Sequence, residues 1–65
     1  MRVGVVTQFD PLVGLGQIRD DTGSMLGFHC IAISDGTRTI EVGARVRFEL
    51  LAKLGRYEAT AISAA

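Results

Sequence analysis

Two neighbouring residues, His29 and Cys30, carry the functional groups of a thiol nucleophile and its base. Catalysis of that kind requires the imidazole to lie within hydrogen-bond distance of the thiol. Both residues lie in a run of strand-forming residues, where neighbouring side chains point to opposite faces, so we do not expect them to react together. One histidine and one cysteine also do not make a metal cluster, and no metal site is expected.

The remaining candidate motifs argue against catalysis as well. Gly14 and Gly16 match the first two glycines of a dinucleotide-binding loop, but Arg19 stands where the third would be and no helix follows. Asp20 and Asp21 lie in a turn signal, where two solvated carboxylates are the ordinary interpretation. A chain of 65 residues, here with equal numbers of acidic and basic residues, also leaves little surface for chemistry once its core is formed. We therefore predict a binding domain, not an enzyme, with no cofactor and no small-molecule substrate.

The elements that would position binding residues are short β-strands. Brief apolar runs alternate with turn signals rich in glycine, which is typical of closely spaced strands. In the clearest run, residues 44–51, Val46, Phe48 and Leu50 are predicted to point inward. Turns are predicted at residues 20–24, 34–37, 41–43 and 53–55, and strands at residues 2–9, 13–19, 25–31, 44–51 and 56–62. This pattern predicts an all-β fold, a five-stranded antiparallel Greek-key barrel.

Alternation within the second and third strands predicts which side chains face the core. In the second strand, Gly14 and Gly16 share a face with Ile18, which indicates either a close approach of the backbone to a neighbouring element or strong coiling of the strand. In the third strand, Phe28 shares a face with Leu26. We therefore predict that Phe28 lies in the core.

Composition also indicates in which compartment the protein is found and whether it has a membrane segment. The single cysteine, Cys30, cannot form an internal disulfide, which favours a reducing compartment, and we predict a cytoplasmic location. The longest run without a charge, residues 22–34, is too short to cross a bilayer, so no membrane segment is predicted. No linker, repeat or low-complexity segment interrupts the chain, which is interpreted as one stand-alone domain over residues 1–65.

Four blocks of the sequence resemble the bacterial cold-shock domain family. The blocks are GVVTQFD at residues 4–10, VGLGQI at 13–18, His29 with Ala32 and Ile33, and EVGARV at 41–46. The corresponding family patterns are G-x-V-K-W-F-N, K-G-F-G-F-I, V-F-V-H-F-S-A-I and E-G-Q-x-V-x-F, and the spacing between blocks is nearly unchanged. The resemblance covers almost the whole chain and implies an OB-type five-stranded barrel.

The resemblance implies binding of single-stranded RNA or DNA, because the family stacks bases on aromatic side chains and contacts phosphates through lysines. Phe9 and His29 keep their family identity in this chain, whereas Leu15 and Gln17 replace two phenylalanines and Gln8 replaces a tryptophan. Each stacked base contributes about 1–3 kcal/mol, so these replacements predict weak binding or an altered specificity. The predicted binding residues are Gln8, Phe9, Leu15, Gln17 and His29.

A second hypothesis rests on aliphatic residues at positions that the resemblance places on or beside the outer face of the barrel. These residues are Val3, Val5, Val13 and Leu15. A contiguous apolar patch on a small domain is typical of a protein contact. The alternative prediction is therefore a barrel that binds a protein partner or forms a homodimer through this surface.

Overall fold

The structure is a computed structural model that describes residues 2–34 and 39–65. These residues form five strands and one turn of 3₁₀ helix at Cys30–Ala32. The strands are β1 (Arg2–Asp10), β2 (Leu15–Asp20), β3 (Met25–His29), β4 (Arg45–Lys53) and β5 (Arg56–Ala64). The prediction of an all-β, five-stranded fold is confirmed. Most of the turn predicted at residues 34–37 lies outside the described residues.

The five strands close into a barrel in the order β1-β2-β3-β5-β4. β1 pairs with both β2 and β4, β2 pairs with β3, and β4 pairs with β5, all antiparallel. The contact that closes the barrel differs, since β3 and β5 run parallel and meet at Gly27 and Glu58. The result is an OB-like barrel in which one of the five strand pairings departs from the predicted antiparallel arrangement.

A β-bulge at Thr7 decides which side chains of β1 face the interior. The register of β1 against β2 shifts between Val6 and Gln8, so Thr7 is an extra residue. The Thr7 hydroxyl donates a hydrogen bond to the Gln17 carbonyl oxygen at 3.3 Å. Because an extra residue reverses the alternation of a strand, Val6 and Phe9 both turn toward the core, and Gln8 points outward.

The core contains inward-facing residues from every strand. Phe28 is 2% exposed, which confirms its prediction as a core residue. Phe9, Ala32, Ile40 and Ala44 are partly buried and pack against this core. The fully packed residues are Val6, Ile18, Leu26, Phe28, Ile33, Val46, Phe48, Ala59 and Ile62.

β2 begins two residues later than predicted because Asp10 organises a turn. Its Oδ1 accepts hydrogen bonds from the backbone N–H groups of Leu12 and Val13, at 3.0 and 3.4 Å. The N–H of Gly14 donates to the Asp10 carbonyl oxygen at 2.7 Å. Gly14 has a φ of 79°, a conformation that suits glycine, and a Cβ there would lie 2.8 Å from the Cys30 sulfur.

The prediction that Leu50 points into the core is wrong, since this residue is 36% exposed. Leu50 lies on β4 beyond Phe48, which pairs with Arg2 at the start of the described part of β1. From Glu49 to Lys53, β4 pairs with β5 alone among the described residues. Leu50 therefore keeps the alternation of the strand but lies in a hairpin that extends past the barrel.

The expectation of two solvated carboxylates is wrong for Asp20, which is the last residue of β2 and is buried. Its Oδ1 accepts hydrogen bonds from the Thr22 hydroxyl at 2.7 Å and from the N–H groups of Thr22 and Ser24 at 2.9 Å each. The Arg2 guanidinium lies 3.6 Å from Oδ2. The hydrogen bond from the Thr22 hydroxyl, with smaller contributions from the two N–H groups and Arg2, outweighs desolvation and lowers the Asp20 pKa.

Candidate functional site

The registers of β1, β2 and β3 gather four of the five predicted binding residues on one outer face of the sheet. Leu15 lies opposite His29 on β3, and Gln17 lies opposite Gln8 on β1. Directly opposite residues point to the same face, so these side chains form two adjacent rows across the three strands. All four are exposed.

The fifth predicted residue, Phe9, lies on the inner side of the same region. Phe9 and Phe28 both pair with Gly16, and their rings are parallel, with centroids 6.0 Å apart and an interplanar angle of 2°. A Cβ on Gly16 would lie 2.5 Å from the Phe28 ring. Gly16 therefore provides the space in which the two rings stack, and Phe9 is half-buried, with part of its ring at the surface.

An open cavity of about 770 Å³ lies over this region, and all five predicted binding residues line it. The opposite wall comes from the first residues of β5, Arg56, Tyr57 and Glu58, which sequence reasoning did not assign to the site. The parallel pairing of Gly27 with Glu58 brings β5 against β3, and no local pattern in the sequence encodes that pairing. The sequence carried one signal, because Tyr57 is the one tyrosine of the chain and lies in the strand predicted at residues 56–62. In the structure this residue is 59% exposed.

The charge of the cavity differs from that of a phosphate-binding surface. Arg56 is the one lysine or arginine among the described lining residues, and its guanidinium lies 3.0 Å from the Glu58 carboxylate. Asp10 also lines the cavity. Flat rings, leucine, valine and amide groups thus make up the remaining surface, which suits base faces and base edges better than phosphates.

The aliphatic residues of the second hypothesis do not meet in one place. Val13 and Leu15 line the cavity, whereas Val3 and Val5 lie at the other end of β1. Val5 pairs with Arg19 and Arg45, and Val3 pairs with Arg47. The structure therefore places Val3 and Val5 among arginines, with Gln8 and Gln17 between them and Leu15.

The described residues include neither a metal-binding cluster nor a membrane-spanning helix. No group of three or more His, Cys, Asp or Glu side chains within residues 2–34 and 39–65 is placed to hold a metal ion. No helix in that same part of the chain has the length and apolarity needed to cross a membrane.

No protein-family model matches the sequence, and no curated protein matches it either.

Proposed function

We propose that this protein binds single-stranded nucleic acid weakly, with unstacked bases held in the cavity between β2, β3 and β5. The observation that carries the proposal is the convergence of His29, Tyr57, Phe9 and two glutamines on one open cavity. Aromatic and imidazole rings stack on base faces, and the amides of Gln8 and Gln17 can donate to and accept from base edges. The resemblance to cold-shock domains supports the same activity, and membership in that family is part of this proposal.

The proposed binding is non-enzymatic and located in the cytoplasm. The residue chemistry suits binding, because rings and amides of the described cavity lining can hold bases through stacking and hydrogen bonds. The single cysteine supports the location, since disulfide-free chains are typical of reducing compartments.

Tyr57 provides the sharpest test, because it lies outside the four blocks that resemble cold-shock domains. Tyr57→Ala should weaken binding of a pyrimidine-rich heptamer by about 1–3 kcal/mol, equivalent to a factor of about 5–150, as one stacking surface is lost. Tyr57→Phe keeps the ring and should bind within about threefold of the original chain. Fluorescence anisotropy with labelled RNA and DNA heptamers measures both variants.

An exposed aliphatic residue outside the cavity supplies the control. Leu12→Ala should leave the affinity for the heptamer unchanged, since Leu12 is exposed and does not line the cavity. Equal affinities of the Tyr57→Ala variant and the original chain would contradict the proposed stacking role of this wall.

A protein partner is the second candidate function. Leu12, Val13 and Leu15 are exposed beside one another along the chain, and two of them line the cavity. An apolar rim of this kind favours a contact whose strength changes little with salt. Failure of both heptamers to bind, together with salt-insensitive binding of a protein through Val13 and Leu15, would support this function instead.

A further inference from the structure

Within residues 2–34 and 39–65, one edge of the hairpin formed by β4 and β5 has no strand partner. Beyond Phe48, β4 pairs with β5 on one side, and no described residue pairs with its other side from Glu49 to Lys53. This segment contains no proline, and Leu51 is 43% exposed. Unpaired N–H and C=O groups along an exposed edge are a template for adding another strand.

The sequence of this edge is complementary to itself. When two copies of residues 49–53 (ELLAK) run antiparallel and are centred on Leu51, each Glu49 lies opposite Lys53 of the other copy. Leu51 then lies opposite its own copy, and Leu50 lies opposite Ala52. Glu49, Leu51 and Lys53 alternate onto one face of the strand, so that face has an apolar centre flanked by two ion pairs.

The charges also select against other arrangements of the same edge. A parallel, in-register pairing would place each Glu49 beside its own copy and each Lys53 beside its own copy, which is unfavourable. Shifting the antiparallel register by one residue would move Leu51 away from its copy and leave both charges without their partners. A two-fold arrangement uses the same edge on both molecules, so it closes after two copies and does not propagate into a fibre.

We propose that the partner of this edge is a second copy of the chain, and that two molecules pair β4 to β4 through residues 49–53 in a two-fold dimer centred on Leu51. The contact involves few residues on each side and is smaller than a standard interface, so the dimer is weak and forms at high protein concentration. The proposal is independent of nucleic-acid binding, because Glu49, Leu51 and Lys53 do not line the cavity.

A charge swap tests the pairing directly. Sedimentation equilibrium from micromolar to millimolar protein should show a monomer–dimer equilibrium for the original chain. Glu49→Lys places like charges opposite one another twice in the dimer and should raise the dissociation constant about tenfold. The double variant Glu49→Lys/Lys53→Glu restores opposite charges at both places and should return the dissociation constant to within about threefold of the original.

Two leucine variants complete the test. Leu51→Lys places two ammonium groups together on the two-fold axis and should abolish the dimer. Leu12→Lys changes an exposed leucine away from β4 and should leave the dimer intact. Far-UV circular dichroism establishes that each variant is folded. A monomer at millimolar concentration, no rescue by the double variant, or equal loss of the dimer in the Leu12→Lys variant would overturn the proposal.

Discussion

The bulge at Thr7 determines in which direction Gln8 and Phe9 face at the candidate site. Without its bulge, unbroken alternation from Val6 would turn Gln8 inward and Phe9 outward. With the bulge, Phe9 packs on Phe28 and Gln8 joins Gln17 on the outer face. The identities of the cavity residues therefore depend on one residue whose own side chain is not expected to contact a ligand.

Asp20 stabilises the turn between β2 and β3 in its charged form. Since its pKa is lowered in the folded protein, the charge stabilises the fold at pH above its ordinary pKa of 3.8, and this stabilisation is lost as pH falls through the lowered value. Asp20→Asn should therefore lower the urea midpoint at pH 7, and the difference from the original chain should shrink as the pH falls below 3.8.

Asp21→Asn is the matched control for this pH dependence. Asp21 is exposed, and its side chain makes no hydrogen bond or ion pair with a described residue, so its substitution should leave the midpoint nearly unchanged. A gap between the Asp20→Asn variant and the original chain that is constant from pH 7 to pH 2 would show that the charge of Asp20 is not what stabilises the turn.

Ala61 has a φ of 52°, in the left-handed region that disfavours side chains. It lies where the register of β5 against β4 shifts, opposite the interval between Arg47 and Glu49. Relief of about 1–2 kcal/mol of strain, less about 0.5–1 kcal/mol for the greater freedom of glycine in the unfolded chain, favours glycine here. Ala61→Gly should raise the free energy of unfolding by up to about 1.5 kcal/mol in urea titrations.

Ala52→Gly supplies the comparison for Ala61. Ala52 is an exposed strand residue of the same hairpin and does not have a positive φ. Glycine at this position should lower the free energy of unfolding by roughly 0.5–1 kcal/mol. Equal destabilisation by both substitutions would mean that Ala61 is not strained.

At the scale of elements, local patterns predicted the strands better than their ends. Alternation placed Phe28 and Val46 in the core, because a strand buried on one face leaves a period of two in its sequence. The start of β2 depends instead on hydrogen bonds from Leu12 and Val13 to Asp10, which alternation does not encode. Tyr57 lies at the site because β5 pairs in parallel with β3, and this pairing joins residues that are far apart in sequence.

The space around Gly27 on β3 can hold an added methyl group, whereas the space around Gly16 on β2 cannot. A Cβ on Gly16 would lie 2.5 Å from the Phe28 ring and 2.7 Å from the Gln8 carbonyl oxygen, whereas a Cβ on Gly27 would lie 3.9 Å from the Gly16 carbonyl oxygen. Gly16→Ala should therefore lower the free energy of unfolding by about 1–3 kcal/mol. Gly27→Ala should be neutral or stabilising, since it adds no clash and reduces the freedom of the unfolded chain.

Urea denaturation of both glycine variants measures this difference. The Gly16→Ala variant should also shift the aromatic proton resonances of Phe9 and Phe28, because the two rings stack across Gly16. Similar stability of the two variants would contradict the close approach of Phe28 to β2.

For the whole molecule, the distribution of charge limits how much phosphate contacts add to the affinity for a single strand. The chain has seven Lys and Arg and seven Asp and Glu, and its cavity holds a cation that is already paired with Glu58. Binding to a single strand loses affinity with salt at a slope of about −0.7 per contacted phosphate. We therefore expect a slope of log affinity against log salt between about −1.5 and 0, corresponding to at most about two phosphate contacts.

Anisotropy titrations of the heptamers over a series of salt concentrations give this slope. A slope steeper than about −3 would indicate several phosphate contacts, and it would place the ligand along the arginines near Val3 and Val5 instead of in the cavity.

An NMR titration of labelled protein with a pyrimidine-rich heptamer is the most direct test of whether the cavity binds unstacked bases. RNA and DNA are titrated separately, at low and at physiological salt. We expect saturable shifts centred on Leu15, Gln17, His29 and Tyr57, with little change at Met25. The absence of shifts at millimolar ligand, or shifts centred on Val3, Val5 and Arg45, would contradict binding of bases in the cavity.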